Sequence, residues 1–311
     1  MRSRATWLLA LAALSAVALV SALPGDATFR GRPGKIAFSR SAAGSVTAKG
    51  DIWIAERSGG GQRRLTRSAG IDETDPTFSP NGGLIAYVRR SQGNADIWVM
   101  RADGSRKRPL ATGTLDELQP AFYPGGRSLL FTRFDGSRGW TVLSIRLDGT
   151  RTQTQVPNAT FPVVSANGRW LAYSKVGDEG GIRLRNLRSG RTRRLTSGSA
   201  QELDFAPGSR RIVFTGQRRC RRAGDLRFAI LSIGIRERGA TVLGRSCRRE
   251  FIDPAYAPNG RRLVFAHKRL AATGAGLRFR LGIMSPNGSP LGGAPRHRRG
   301  TNELFPAWQA R

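Results

Sequence analysis

The residue types that do chemistry are sparse in this chain. Only two cysteines, Cys220 and Cys247, and two histidines, His267 and His297, occur in 311 residues. Two cysteines exclude a four-cysteine zinc site, and two histidines exclude a three-histidine metal centre. Carboxylates are more promising because they recur ahead of a repeated apolar segment. They fall at Asp72, Glu73 and Asp75; at Asp116 and Glu117; at Glu202 and Asp204; at Glu250 and Asp253; and at Glu303. Glu73, Asp75, Glu117, Glu202, Glu250, Asp253 and Glu303 form the candidate site. Acids converging on one opening would hold a cation or a basic group, and a pair of them would serve acid–base catalysis. Their regular recurrence favours a plainer reading, in which they cap turns or pair with arginines of the next unit. The chain has no G-x-S-x-G elbow, H-E-x-x-H, P-loop or EF-hand loop, so no catalytic residue, cofactor or metal site is expected. His267 follows an apolar run and His297 lies in the basic stretch 296–299, so both are expected at the surface.

Two short patterns must position these residues. The first is IAF (36–38), IAY (85–87), LLF (129–131), LAY (171–173), IVF (212–214) and LVF (263–265). The second is PTFSPNGG (76–83), PAFYPGGR (120–127), PVVSANGR (162–169), LDFAPGSR (203–210) and PAYAPNGR (254–261), with a truncated PAWQ at 306–309. In the five complete pairs the second pattern runs nine residues ahead of the first, as from Phe78 to Tyr87. Two strands, A and B, joined by an Asn/Gly turn satisfy that fixed offset. Strand C follows as DIWIA (51–55), DIWVM (96–100), TVLSI (141–145), IRLRN (182–186), RFAIL (227–231) and RLGIM (280–284). A basic strand D comes next, as in QRRLT (62–66), RTQTQV (151–156) and RTRRLT (191–196). Four short strands every 41–51 residues are the signature of a propeller blade. The first B strand lacks an A strand before it, and the last A strand, at 306–309, lacks a B strand after it. Joining them closes the ring, so the expected fold is an all-β, six-bladed β-propeller.

The unit P-x-F-S-P-N-G-x-x-I-A-Y…D-I-W-V-M…D-G…R-x-L-T resembles the short repeat of TolB-type β-propellers. The resemblance covers residues 34–311. It implies a rigid ring used as a binding platform, as a gate on a peptidase, or occasionally as an enzyme. About a dozen residues separate the expected leader from Gly34, so the α/β domain that precedes the TolB propeller is not expected here.

The ring's two faces differ. The A–B turns hardly vary, whereas the B–C loops lengthen at 39–50, 215–224 and 266–277, in three blades that adjoin once the ring closes. Variable loops on a rigid scaffold commonly carry binding, which favours that face. Cys220 and Cys247 both fall on it, and an exported context would let them form a disulfide. Basic residues outnumber acidic ones by 52 to 21, giving a net charge of +31. Arg63, Arg64, Arg106, Arg108, Arg193 and Arg194 are expected on the outer D strands, where charge deters edge-to-edge pairing. The same charge would attract anionic envelope polymers.

Arg2 and Arg4, the apolar run Trp7–Val20 and the small residues of Val20-Ser21-Ala22 read as a signal peptide over 1–22, cut after Ala22, with Ala27 the second choice. A short extension, 23–33, then leads into the propeller at 34–311. The expectation is an exported protein of the periplasm, wall or exterior. It would be monomeric and non-enzymatic, and would bind an envelope or extracellular protein or an anionic polymer through its loop face. Wall or peripheral membrane contact is compatible with this, and no nucleic-acid partner is expected. The alternative is a carbohydrate-active lyase or hydrolase that uses the candidate carboxylates.

Overall fold

In a computed structural model, the described residues are 31–43, 49–178, 180–220, 226–244, 246–270 and 278–311. The expected signal peptide and most of the 23–33 extension lie outside them. So do parts of the three long B–C loops.

The described residues form six four-stranded antiparallel sheets. The first contains β1 (Pro33–Ala42), β2 (Asp51–Ala55) and β3 (Arg63–Arg64). The second runs through β4 (Asp72–Phe78), β5 (Leu84–Ser91), β6 (Asn94–Arg101) and β7 (Arg108–Ala111). The third comprises β8 (Asp116–Phe122), β9 (Ser128–Asp135), β10 (Gly139–Arg146) and β11 (Gln153–Pro157). The fourth holds β12 (Ala159–Val164), β13 (Trp170–Lys175), β14 (Ile182–Asn186) and β15 (Thr192–Arg194). The fifth holds β16 (Ala200–Phe205), β17 (Arg211–Arg219), β18 (Leu226–Gly234) and β19 (Thr241–Val242). The sixth holds β20 (Arg249–Tyr256), β21 (Leu263–Arg269), β22 (Arg280–Met284) and β23 (Pro290–Leu291). The last strand, β24 (Thr301–Ala310), returns to pair antiparallel with β1 and completes the first blade. The six-bladed, all-β ring and its closure by a C-terminal A strand are as the repeats predict.

The A–B turn shows why the repeat holds its length. Ser79 N–H bonds the Leu84 carbonyl and Gly82 N–H bonds the Ser79 carbonyl, while Asn81 Oδ1 accepts from both Ser79 Oγ and Gly83 N. Gly82 adopts φ +66°, and a Cβ there would lie 2.2 Å from the Ala310 carbonyl. Only glycine meets both demands.

The core lies between blades. The strand-B aromatics Phe38, Tyr87, Phe131, Tyr173, Phe214 and Phe265 are all buried. Each apolar cluster joins one blade to the next. Ile52, Ile54 and Leu65 of the first blade pack with Phe78, Tyr87 and Met100 of the second. At the ring junction, Trp308 packs with Ile36, Phe38, Val264 and Ile283. This burial on both sheet faces explains the consecutive apolar residues of strand B.

Candidate functional site: the central channel and the loop face

The A strands line the ring's axis, and each carries a bulge at the same place. Asp75, Gln119, Phe161, Glu202, Asp253 and Phe305 all adopt φ between +49° and +57°. The A–B ladder shifts register there in every blade, as between Thr74 and Thr77. A bulge turns the side chain out of the blade and toward the axis. Four of these six side chains then bond to the neighbouring blade. Gln119 Oε1 accepts the Phe161 N–H at 2.9 Å, Glu202 Oε2 the Asp253 N–H at 3.3 Å, and Asp253 Oδ2 the Phe305 N–H at 2.8 Å. Asp75 accepts the Gln119 N–H. Two residues beyond the Glu202 bulge, Asp204 Oδ2 accepts the Tyr256 N–H at 2.7 Å.

These residues surround a cavity of about 410 Å³ whose walls include five prolines, from Pro76 to Pro306. Its carboxyl groups are held out of water. Burial, with the Glu202 charge adding to it, pushes Asp75 up to about 7. Burial alone pushes Asp204 up to about 7. Glu202 is raised by burial, and Asp253 is raised well above the usual range by burial and by the Glu202 charge. Each is a carboxyl group that resists ionisation in an enclosed site.

The candidate carboxylates therefore divide, and the expectation of one ring at the channel mouth is corrected. Asp75, Glu202 and Asp253 line the channel. Glu73, Glu117 and Glu303 are buried inside blades two, three and one, each against an arginine of the adjoining B strand. Glu117 lies 2.8 Å from Arg133, Glu303 lies 2.8 Å from Arg40, and Glu73 lies 3.6 Å from Arg89. These guanidiniums also cover aromatic rings: Arg40 over Trp53, Arg89 over Trp98 and Arg133 over Phe131. Burial raises Glu73 and Glu117 despite their partners. Glu250 pairs with Lys268 at 2.8 Å. Residues two apart on a bulged strand thus take different surroundings, a split that acid content alone does not reveal. The histidines are corrected too. His267 packs against Phe251 and Phe265, and burial lowers it to about 4. His297 Nδ1 stands 3.5 Å from Glu303 and is largely covered.

A family model described as the Tricorn protease N-terminal beta propeller domain matches residues 43–207, more than half of the chain. The chain belongs to this propeller family. TolB from Acinetobacter baumannii shares its fold at TM-score 0.70 and 19% identity, over 89% of this chain and 67% of that one. Hydrazine synthase from Kuenenia stuttgartiensis matches at TM-score 0.70 and 13% identity, over 91% of this chain but 47% of that one. A chain of the nidogen/laminin complex matches at TM-score 0.62 and 12% identity, over 89% of this chain and 98% of that one. At these identities the likeness is one of fold.

In this Tricorn-type ring five of the six outer arginines have partners that the sequence does not display. Arg63 donates to the Asp103 carbonyl and Arg108 to the Leu147 carbonyl, at 3.0 and 2.5 Å. Arg193 does the same to the Ile235 carbonyl. Each reaches the C–D turn of the next blade, so these side chains tie the rim. Arg64 pairs with Asp51 at 2.5 Å. Arg194 Nε donates to the Thr196 carbonyl at 3.3 Å, and Arg106 sits exposed in a turn with φ +52°.

The opposite end of blades five and six is different. Cys220 and Cys247 are bonded, joining the end of β17 to the D–A connection. Arg218 Nη2 rests 2.6 Å from Cys247 Sγ. Around this staple Arg219, Arg248, Arg249, Arg269, Arg278 and Arg280 are exposed. No carboxylate pairs with them among the described residues. Arg249 faces Arg269 across the ladder. Like charges placed directly opposite oppose folding.

Proposed function

We propose that this is an exported, non-enzymatic propeller scaffold, monomeric, that binds an acidic macromolecule of the cell envelope or exterior through its B–C/D–A face. The observation that carries this reading is the arginine sector on blades five and six. The rim residues Arg63, Arg108 and Arg193 reach the next blade, whereas among the described residues Arg219, Arg248, Arg249, Arg269, Arg278 and Arg280 meet no carboxylate, and Arg249 stands opposite Arg269. A disulfide holds the sector's base, which supports an oxidising compartment. An exposed, arginine-rich patch on a rigid frame suits recognition of carboxylates or phosphates. The test is retention of the purified protein on immobilised polyanion, such as a polyglutamate or polyphosphate column, at rising salt. Retention is expected to fall steeply between about 0.05 and about 0.5 M salt. It should be weakened by R219Q/R249Q/R269Q and unchanged by R63Q/R108Q/R193Q. Equal loss in both triple variants would show only bulk charge and would overturn the reading.

A further inference from the structure

The channel offers a second, chemically opposite site. Asp253 is buried to 4% exposure, yet its side chain lines the cavity. Its Oδ2 takes the Phe305 N–H, while Oδ1 has no hydrogen-bond partner when the group is ionised. Glu202 lies within hydrogen-bonding reach of it, and Asp75 adds to the field from across the channel. A buried carboxylate pair of this kind is costly unless one proton or one cation sits between the two groups. Among the described residues, no cluster of three metal-ligating side chains is close enough together to hold a metal ion. Much of the rest of the wall is apolar, with Leu118, Phe161, Leu203, Phe305 and the prolines, beside the polar Thr74, Thr77, Gln119 and Asp204. We infer that the channel of this propeller is a binding site for a primary ammonium group carried on an apolar stem, with Asp253 and Glu202 holding the head and the Pro/Phe/Leu wall holding the stem.

The ammonium would replace the proton that the pair otherwise shares. Glu202 and Asp204 on β16, Asp253 and Tyr256 on β20 and Asp75 on β4 are the titratable groups lining the cavity, and burial keeps the Tyr256 hydroxyl protonated by raising it to about 12. None of them is cationic, and no arginine, lysine or histidine is among the described residues that line the cavity. Carboxyl groups that hold protons near neutrality must release one to accept the ammonium, so affinity should rise as pH rises from about 5 to about 8.

The probes are n-hexylammonium and 1-hexanol, titrated calorimetrically into the intact disulfide-bonded protein. Hexylammonium is expected to bind at least about tenfold more tightly than hexanol, and to bind better at the higher pH. In E202Q/D253N that preference should vanish. Each amide keeps an oxygen to accept the next blade's N–H, so the ring should persist, with polyanion retention unchanged as its control. If the double variant does not fold, the wild-type comparison of ammonium with alcohol decides alone. Equal binding of the two probes would overturn the inference. So would an ammonium preference that survives in E202Q/D253N, or displacement of hexylammonium by calcium at comparable concentration.

Discussion

At Glu117, burial and pairing act against each other. The side chain has no exposure and its pKa is raised by desolvation, yet Arg133 stands 2.8 Å away and over the Phe131 ring. Removing one partner leaves an uncompensated buried charge, whereas removing both leaves a packing problem only. R133M should therefore cost about 3–5 kcal/mol, and E117L/R133M should recover much of that loss. Urea denaturation of both variants checks this. Asp204 makes the complementary case, with folded pKa about 7 against an ordinary 3.8. A carboxyl raised on folding contributes its stability below the unfolded value, and loses it as pH rises through the folded one. D204N keeps the oxygen that receives the Tyr256 N–H. At about pH 8 it should be more stable than wild type by a few kcal/mol, with the advantage gone below about pH 4. A parallel pH dependence of the two melting curves would show that Asp204 is not the titrating group. The presence of carboxylates near strand A is readable in the sequence. Which of them face the axis is not, because the bulge that reorients Asp75 and Asp253 depends on a positive φ that Asp, Gln, Glu and Phe share without a common side-chain chemistry.

At the scale of the element, the bulged A strand is what turns a sheet into a channel wall. Strand order, the Asn/Gly turn and the aromatic anchor are legible because each depends on local rules: period-two burial, positive φ at Gly82, and a fixed nine-residue offset. The D strands are less legible. QRRLT promises five residues of strand, but β3 spans only Arg63–Arg64. Its Leu65 turns into the core and Thr66 Oγ1 takes the Ile52 N–H instead. Tertiary contacts with the first blade, rather than β-propensity, set that end. The fifth blade carries the longest hairpin, with β17 and β18 paired from Arg211↔Gly234 to Arg219↔Leu226. Its outer end is fastened by Cys220–Cys247, a separation of 27 residues. C220S/C247S should lose roughly 3 kcal/mol against unfolding. Amide exchange should accelerate along Gln217–Arg219 and Leu226–Phe228 while β8 to β11 stay protected. Uniform acceleration across all blades would place the disulfide in the global fold rather than in the hairpin.

For the whole molecule, closure is the feature on which every other contact depends. A propeller has no central core. Its stability is a cycle of six interfaces, and opening one exposes two apolar faces at once. The junction between blades six and one buries Trp308 against Ile36, Phe38, Val264 and Ile283, and β24 also supplies Glu303 to Arg40. That the two half-blades complement each other is visible in the sequence, since an unmatched B strand at one end and an unmatched A strand at the other have a single simple solution. What escapes the sequence is how much chemistry the junction concentrates: an ion pair, the largest apolar anchor of strand A, and the Phe305 N–H that donates to the Asp253 carboxylate. Deleting residues 301–311 should therefore do more than remove one edge strand. The shortened chain should lose its cooperative melt and bind a hydrophobic dye, while a synthetic peptide of residues 301–311 added in excess should restore the transition. W308A in that peptide should abolish the rescue, because the deletion of a buried Trp removes about 3–5 kcal/mol of packing, comparable to what an eleven-residue strand gains on docking. If the shortened chain melts as cooperatively as the intact one, the six interfaces do not form a closed cycle of dependence, and the ring's rigidity must come from within each blade.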